Sequence, residues 1–254
     1  MTAAQSTGPT HRAFTTKFAS NLAIVDETGN ILKDLLYFCS GLSLSGIYMK
    51  VILVNGSPHA HGCTFTGLKE VEKALLEQGI ETEIFQVGNR PIQGCLGCGG
   101  CTGTGRCLID DVVNLFLDKA EQADGFIFGT PVHFASASGF VTSFMDRAFC
   151  GKASPFRHKP AAAIVSCRRG GATAAFDMMN KYFSISAMPI VTARYWNMIH
   201  GNTPEEVAQD LEGMQNMRDL GRNMAWMLHC IEAGHNVGME PPVSEKPVKT
   251  NFIR

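Results

Sequence analysis

Charge is sparse and evenly matched in this sequence: 22 Lys and Arg stand against 23 Asp and Glu in 254 residues. No run of basic residues forms a stripe, which points away from nucleic acid and from an anionic membrane surface as partners. Long apolar runs are lacking too. The nearest, LLYFCSGLSLSGIYM at 35–49, is too short to span a bilayer and is interrupted by Gly and Ser. The N-terminus lacks the charged, then apolar, then small-residue order of a secretory signal, and there are no internal repeats. These absences lead to the expectation of a cytoplasmic, reducing environment, where clustered cysteines hold metal or do redox chemistry more often than they form disulfides.

What is present is a core-forming length and a regular alternation. The chain has room for one sizeable α/β domain or two small ones. Residues 1–48 are Ser/Thr-rich at the start and aperiodic, and they read as a poorly ordered N-terminal extension. From residue 49 the pattern changes. KVILV at 50–54 reads as a buried parallel strand, and a helix over 64–78 sets Leu68, Val71, Leu75 and Leu76 on one face.

Further strands are expected at 81–87, 125–130, 161–166 and 189–195, and helices at about 111–122, 138–149 and 172–182. A last helix runs from the Thr203-Pro204-Glu205-Glu206 start to about residue 232. Five strands alternating with five helices predict an α/β fold, one doubly wound parallel sheet with helices on both faces. The domain so expected spans 49–254.

In such a sheet ligands bind beyond the carboxyl ends of the strands, where the strand order reverses. With a flavodoxin-like order, 2-1-3-4-5, that crevice lies between the first and third strands. The loop after the first strand, GSPHAHGCT at 56–64, joins hydroxyls, histidines and a permissive glycine to a helix N-terminus, which suits phosphate. The Gly-x-Gly-x-x-Gly pattern of a dinucleotide turn is missing from it, as is the Gly-Lys-Ser/Thr of a triphosphate loop, so one phosphate fits better than a pyrophosphate. After the third strand, GTPVHFASASG at 129–139 offers an apolar and aromatic wall with hydroxyls. After the fourth, SCRRGGAT at 166–173 offers a glycine shelf. Each loop alone reads equally as turn chemistry; together they describe a site for a mononucleotide flavin.

VILVNGSPHAHGCT and GTPVHFASASGFVTSFMDR resemble the phosphate loop and the ring-contact segment of NAD(P)H-dependent FMN reductases of flavodoxin-like fold. The cysteine stretch with Asp110-Asp111, RRGGAT and the terminal TNFIR are similar to the iron–sulfur flavoprotein branch of that family. The resemblance implies FMN phosphate contacts from Ser57, His59, Gly62, Cys63 and Thr64. It implies ring contacts from Pro131, Val132, His133, Phe134 and Ser136, and from Arg169 and Gly170. His59 stands where the family usually has Arg and Cys63 where it has Asn, so the phosphate site is less cationic; His133 replaces the family's Tyr at the ring contact. The resemblance also implies a homodimer or homotetramer, with Trp196, Asn197 and His200 of YWNMIHG at an interface.

Four of the nine cysteines, Cys95, Cys98, Cys101 and Cys107, fall in GCLGCGGCTGTGRC, residues 94–107, with spacing C-x2-C-x2-C-x5-C. Small loop residues between closely spaced cysteines suit a cubane cluster, and here the fourth cysteine is near enough to complete it. Zinc prefers two pairs separated by a longer loop. A [4Fe–4S] cluster is the leading expectation, metal-free redox thiols the next and zinc the last. The whole predicts an oxidoreductase with FMN and the cluster, exchanging electrons with NAD(P)H or a reduced ferredoxin and with an acceptor. A cluster-free FMN or quinone reductase and a non-catalytic flavin electron carrier are the alternatives.

Overall fold

The computed structural model describes residues 49–151 and 155–246, together with 248, 250 and 252. The expectation for the extension 1–48 lies outside the described residues. β1 (Lys50–Asn55) is followed by α1 (Cys63–Leu76), β2 (Glu81–Gln86), α2 (Val112–Ala120) and β3 (Gly125–His133). Then come β4 (Ser136–Ala137), α3 (Gly139–Gly151), β5 (Ala161–Cys167), α4 (Ala172–Ile185), β6 (Met198–His200), α5 (Pro204–Gln209) and α6 (Leu211–Asn236). The sheet order is β2-β1-β3-β5-β6, every one of those pairs parallel, with β4 folded back antiparallel on β3. This is the flavodoxin-like architecture.

The strands alternate because the sheet is covered on both faces. Ile52, Val54, Phe126, Phe128, Ala163 and Val165 enter one core, where Phe116, Phe144 and Phe183 of α2, α3 and α4 meet them. Val51, Leu53, Ile127, Ala162 and Ile164 enter the other, under α1 and α6. Burying each such Val, Ile, Leu or Phe contributes about 1.5–3 kcal/mol. α1 and α6 touch so closely that a Cβ on Gly221 would lie 2.7 Å from that of Ala74.

Three expectations need correction. The sheet has six strands rather than five, because a two-residue turn at Phe134-Ala135 returns the chain as β4. The fifth strand expected at 189–195 is not a strand: Ile190 makes a single bridge with Ala161, and regular pairing waits for Met198 opposite Val165. Between them the Asn197 side chain replaces the ladder, giving Nδ2 to the Ala163 carbonyl at 3.0 Å and accepting from the Ala193 amide at 3.3 Å. The last helix is two helices. Thr203 caps α5 through the Glu206 amide, and Asp210 then ends α5 and caps α6 by accepting from the Gly213 amide at 3.0 Å.

Candidate functional site

The β1 loop is held from beneath by two side chains. Asn55, fully buried at the end of β1, accepts from the Ser57 amide at 3.2 Å and donates to Gln86 Oε1 at 2.6 Å and to the carbonyls of His59 and Ala60. Gln86 in turn donates to the Ser57 carbonyl at 2.8 Å. Ser57 Oγ accepts from the His59 amide at 3.2 Å, which leaves its own proton free to donate outward. The loop then enters α1 at Gly62, whose backbone is extended, with no side chain capping the helix and no acidic residue in its first turn. Uncapped amides at a helix N-terminus accept an anion readily.

Thr64 is buried, and its hydroxyl lies 2.7 Å from that of Ser166 at the end of β5. Cys63 turns the other way: its thiol faces the Gly201 carbonyl at 3.8 Å, and burial pushes it up in pKa. What Cys63 offers the loop is its backbone amide. His59 is exposed.

The β3 loop is a tight hairpin. Phe134 and Ala135, its two central residues, have φ of 50° and 59°. Two positive φ values between His133 and Ser136 are the pattern of a type I′ turn, here without the Gly or Asn that makes it cheap. The Phe134 ring stands wholly in solvent at 105% relative exposure, whereas Pro131, Val132 and Ser136 are half-buried and His133 is exposed. The hairpin tip rests on Gly171, the N-cap of α4: a Cβ there would lie 2.5 Å from Ala135 Cα. Arg169 and Gly170, just before it, are exposed. The three expected loops therefore do come together, joined by Thr64 to Ser166 and by Gly171 to Ala135.

The cysteine loop, after β2, closes over the side of α3. Cys95, Cys98, Cys101 and Cys107 all line one cavity of about 180 Å³, with Leu96, Leu108, Arg147 and Cys150. Its bends fall on glycines: Gly97, Gly99, Gly103 and Gly105 have φ between 61° and 84°. Among the described residues no three His, Cys, Asp or Glu side chains gather tightly enough to ligate one metal ion. The thiols instead surround a cavity, which is how a cubane takes its ligands, one sulfur to each corner.

Cys107 is held more firmly than the others. Asn114 of α2 accepts from its amide at 2.9 Å and donates to its carbonyl at 3.0 Å. Arg147 donates to its sulfur from Nε at 3.2 Å. The rest of that buried guanidinium goes to both oxygens of Asp111, at 2.6 and 2.8 Å, and to the carbonyls of Gln93 and Ile109. All five of its N–H groups thus have a partner. Burial works against its charge, but Asp111 and Cys107 outweigh it and hold the guanidinium above its ordinary range. Asp111 also caps α2.

Cys150 comes from α3, outside the cysteine motif. Although Cys150 is exposed, partial burial and the neighbouring Cys95 and Cys101 push its thiol up to about 11. Sequence reasoning missed Asn55, Gln86, Ser166, Asn114, Arg147 and Cys150. The signal within reach was Asp146-Arg147 in GFVTSFMDRAFC, an arginine inside an otherwise apolar helix.

The family model described as NADPH-dependent FMN reductase matches residues 49–203, more than half of the chain. An iron–sulfur flavoprotein of Methanocaldococcus jannaschii is 33% identical over 192 residues, 72% of this chain and 100% of that protein. An iron–sulfur flavoprotein of Archaeoglobus fulgidus is 28% identical over 174 residues, 67% of this chain and 86% of its own length. Among solved structures, RosB with a bound 8-demethyl-8-formylriboflavin-5'-phosphate intermediate has a TM-score of 0.57 at 16% identity, covering 81% of this chain and 94% of that one. An apo NADH:FMN oxidoreductase has a TM-score of 0.54 at 14% identity, covering 70% and 89%. At those identities the structures speak to the fold alone. By the match over its α/β domain and the full-length match to the Methanocaldococcus jannaschii relative, the chain belongs to the NADPH-dependent FMN reductase family, beside iron–sulfur flavoproteins, and is an FMN-dependent oxidoreductase.

Proposed function

We propose that this FMN oxidoreductase also carries a [4Fe–4S] cluster, and that it passes electrons between NAD(P)H or a reduced ferredoxin-like carrier and an acceptor. The observation that carries the proposal is the cavity ringed by Cys95, Cys98, Cys101 and Cys107, with a buried arginine donating to one of the sulfurs. When bound, FMN supplies two-electron chemistry and the cluster one-electron transfer.

The chain's own residues bind, orient and tune. Ser57 donates its hydroxyl proton to the FMN phosphate. Gly62, Cys63 and Thr64 present the start of α1, and His59 lies at the open edge of the loop. The absence of an acidic residue in the first turn of α1 favours the anion. Pro131, Val132, His133, Phe134 and Ser136 wall the ring on one side, with Arg169 and Gly170 beyond it. The exposed Phe134 ring, held on a turn with two left-handed residues, is an apolar surface ready for a flat partner. At the cluster, Asn114 fixes the backbone of Cys107, and the Arg147 N–H favours a charged sulfur there.

Assembly as a homodimer or homotetramer belongs to the same proposal. Tyr195 and Trp196 meet at a tilt of 57° with ring centroids 4.9 Å apart and stay about half exposed. Asn216 of α6 grips their backbone through Tyr195 N and the carbonyls of both residues. A rigid, exposed aromatic pair of this kind suits a subunit contact. The test is release of FMN from anaerobically purified protein, followed by oxidation of NADH, NADPH or reduced ferredoxin. FMN release with turnover of one of these donors supports the proposal; FMN release with turnover of none of them refutes the donor assignment.

A further inference from the structure

α3 brings a fifth sulfur to the cavity of the four loop cysteines. Cys150 lies three residues after Arg147 on the last turn of α3, so the two side chains share one face of the helix. Arg147 reaches Cys107; Cys150 meets the other end of the loop. Cys150 lines the same cavity as Cys95 and Cys101. Cys101 Sγ also donates to the Cys150 carbonyl, at 3.6 Å. The neighbouring Phe149 anchors this end of the helix in the core, its ring stacked on Phe156 at 4.4 Å and lying 5.7 Å from Phe128. Cys150, Cys95 and Cys98 are all exposed, but Cys150 stands on a helix end packed against the core, whereas Cys95 and Cys98 stand on a glycine-rich loop.

We propose that Cys150 is a fifth, exchangeable ligand of the cluster cavity, able to take over the iron held by Cys95 or by Cys101. The proposal rests on the cluster reading above. In the exchange the bond from iron to the Cys95 sulfur breaks as one to the Cys150 sulfur forms. The proton leaving the Cys150 thiol ends on the released Cys95 thiolate, and no electron is gained or lost. Cys107 takes no part, because Asn114 and Arg147 hold it in place.

The test measures iron and acid-labile sulfide per chain after anaerobic reconstitution with ferrous iron and sulfide. The proteins are wild type, Cys95→Ala, Cys150→Ala and the double variant, with far-UV circular dichroism and bound FMN as checks of folding. Wild type and both single variants should hold nearly the full complement, and the double variant less than about a tenth of it, since three cysteines then face four iron corners. Cys95→Ala with intact circular dichroism and FMN but no iron overturns the proposal, as does a double variant that keeps its iron. If Cys95→Ala does not fold, Cys101→Ala with and without Cys150→Ala is judged by the same criteria. An iron-free wild type overturns the cluster reading itself, and this proposal with it.

Discussion

Arg147 Nε donates to the sulfur of Cys107 at 3.2 Å, while the other end of the same guanidinium clasps both oxygens of Asp111. One side chain therefore ties the last cysteine of the loop, the N-cap of α2 and the core helix α3 into a single unit. Loss of Arg147 leaves Asp111, part-exposed at 29%, without its partner and takes the donor from Cys107 and from the carbonyls of Gln93 and Ile109. Arg147→Gln should cost about 1–3 kcal/mol of folding stability, the usual penalty for leaving buried acceptors without their donor. Chemical denaturation of the flavin-free proteins checks this; a loss below about 1 kcal/mol, the range of an exposed pair, would contradict it.

The close approach of Gly171 to Ala135 makes a matched pair of variants informative. Gly171 has φ of 93° and no room for a Cβ, whereas the adjacent Gly170 has nothing within 4 Å of the same position. Gly171→Ala should lose about 1–3 kcal/mol and release FMN more readily, because the hairpin tip must move. Gly170→Ala should change stability by less than about 0.5 kcal/mol. Equal effects at the two positions would show that the contact with the hairpin does not matter.

Thr64 and Ser166 join the first and fourth strand loops through one hydroxyl pair of 2.7 Å. Thr64→Ala should weaken FMN binding by about 1–3 kcal/mol, since it removes a hydroxyl offered to the phosphate. Ser166→Ala in the same background should cost much less than it does alone. Strict additivity of the two in FMN affinity would mean that the pair does not act as a unit.

Stability should also fall in acid through Glu83. Burial opposes its charge, but hydrogen bonds from Lys119 and Lys50 outweigh burial and hold it below the usual carboxylate range. A carboxylate with a lowered folded pKa contributes stability above its unfolded pKa of about 4.3, and loses it as the pH falls through the folded value. Between pH 7 and pH 3 wild type should lose about 0.5–1 kcal/mol more than Glu83→Gln does, the size of a partly exposed pair. Parallel pH profiles of the two proteins would remove Glu83 from the account.

The sheet and its loops were legible because their signals are local. KVILV, GFIFGT and AAAIVS are short apolar runs, each ending in a turn, and each is a strand. PIVTARY has the same look, yet Ile190 sits opposite Ala161 and Met198 opposite Val165, so eight steps of this segment span four of β5. A side chain, Asn197, fills the missing rungs, and strand composition carries no trace of that. The hairpin at Phe134-Ala135 was hidden for the opposite reason: its turn lacks the glycine or asparagine that announces positive φ. At the site, the four loop cysteines were visible from their spacing and the flavin loops from their resemblance to the family, whereas Asn55, Ser166 and the α3 pair Arg147 and Cys150 lie outside those motifs and reach the loops only in the fold.

The most direct test of the central claim is the iron, acid-labile sulfide and flavin content of protein purified without oxygen. The cavity of loop cysteines predicts about four iron and four sulfide per chain. FMN, not FAD, should be released on denaturation, because the loop after β1 lacks the Gly-x-Gly-x-x-Gly turn for a pyrophosphate. FMN with zinc alone, or with no metal after reconstitution, would contradict the cluster and leave a plain flavin reductase with a cysteine-rich loop.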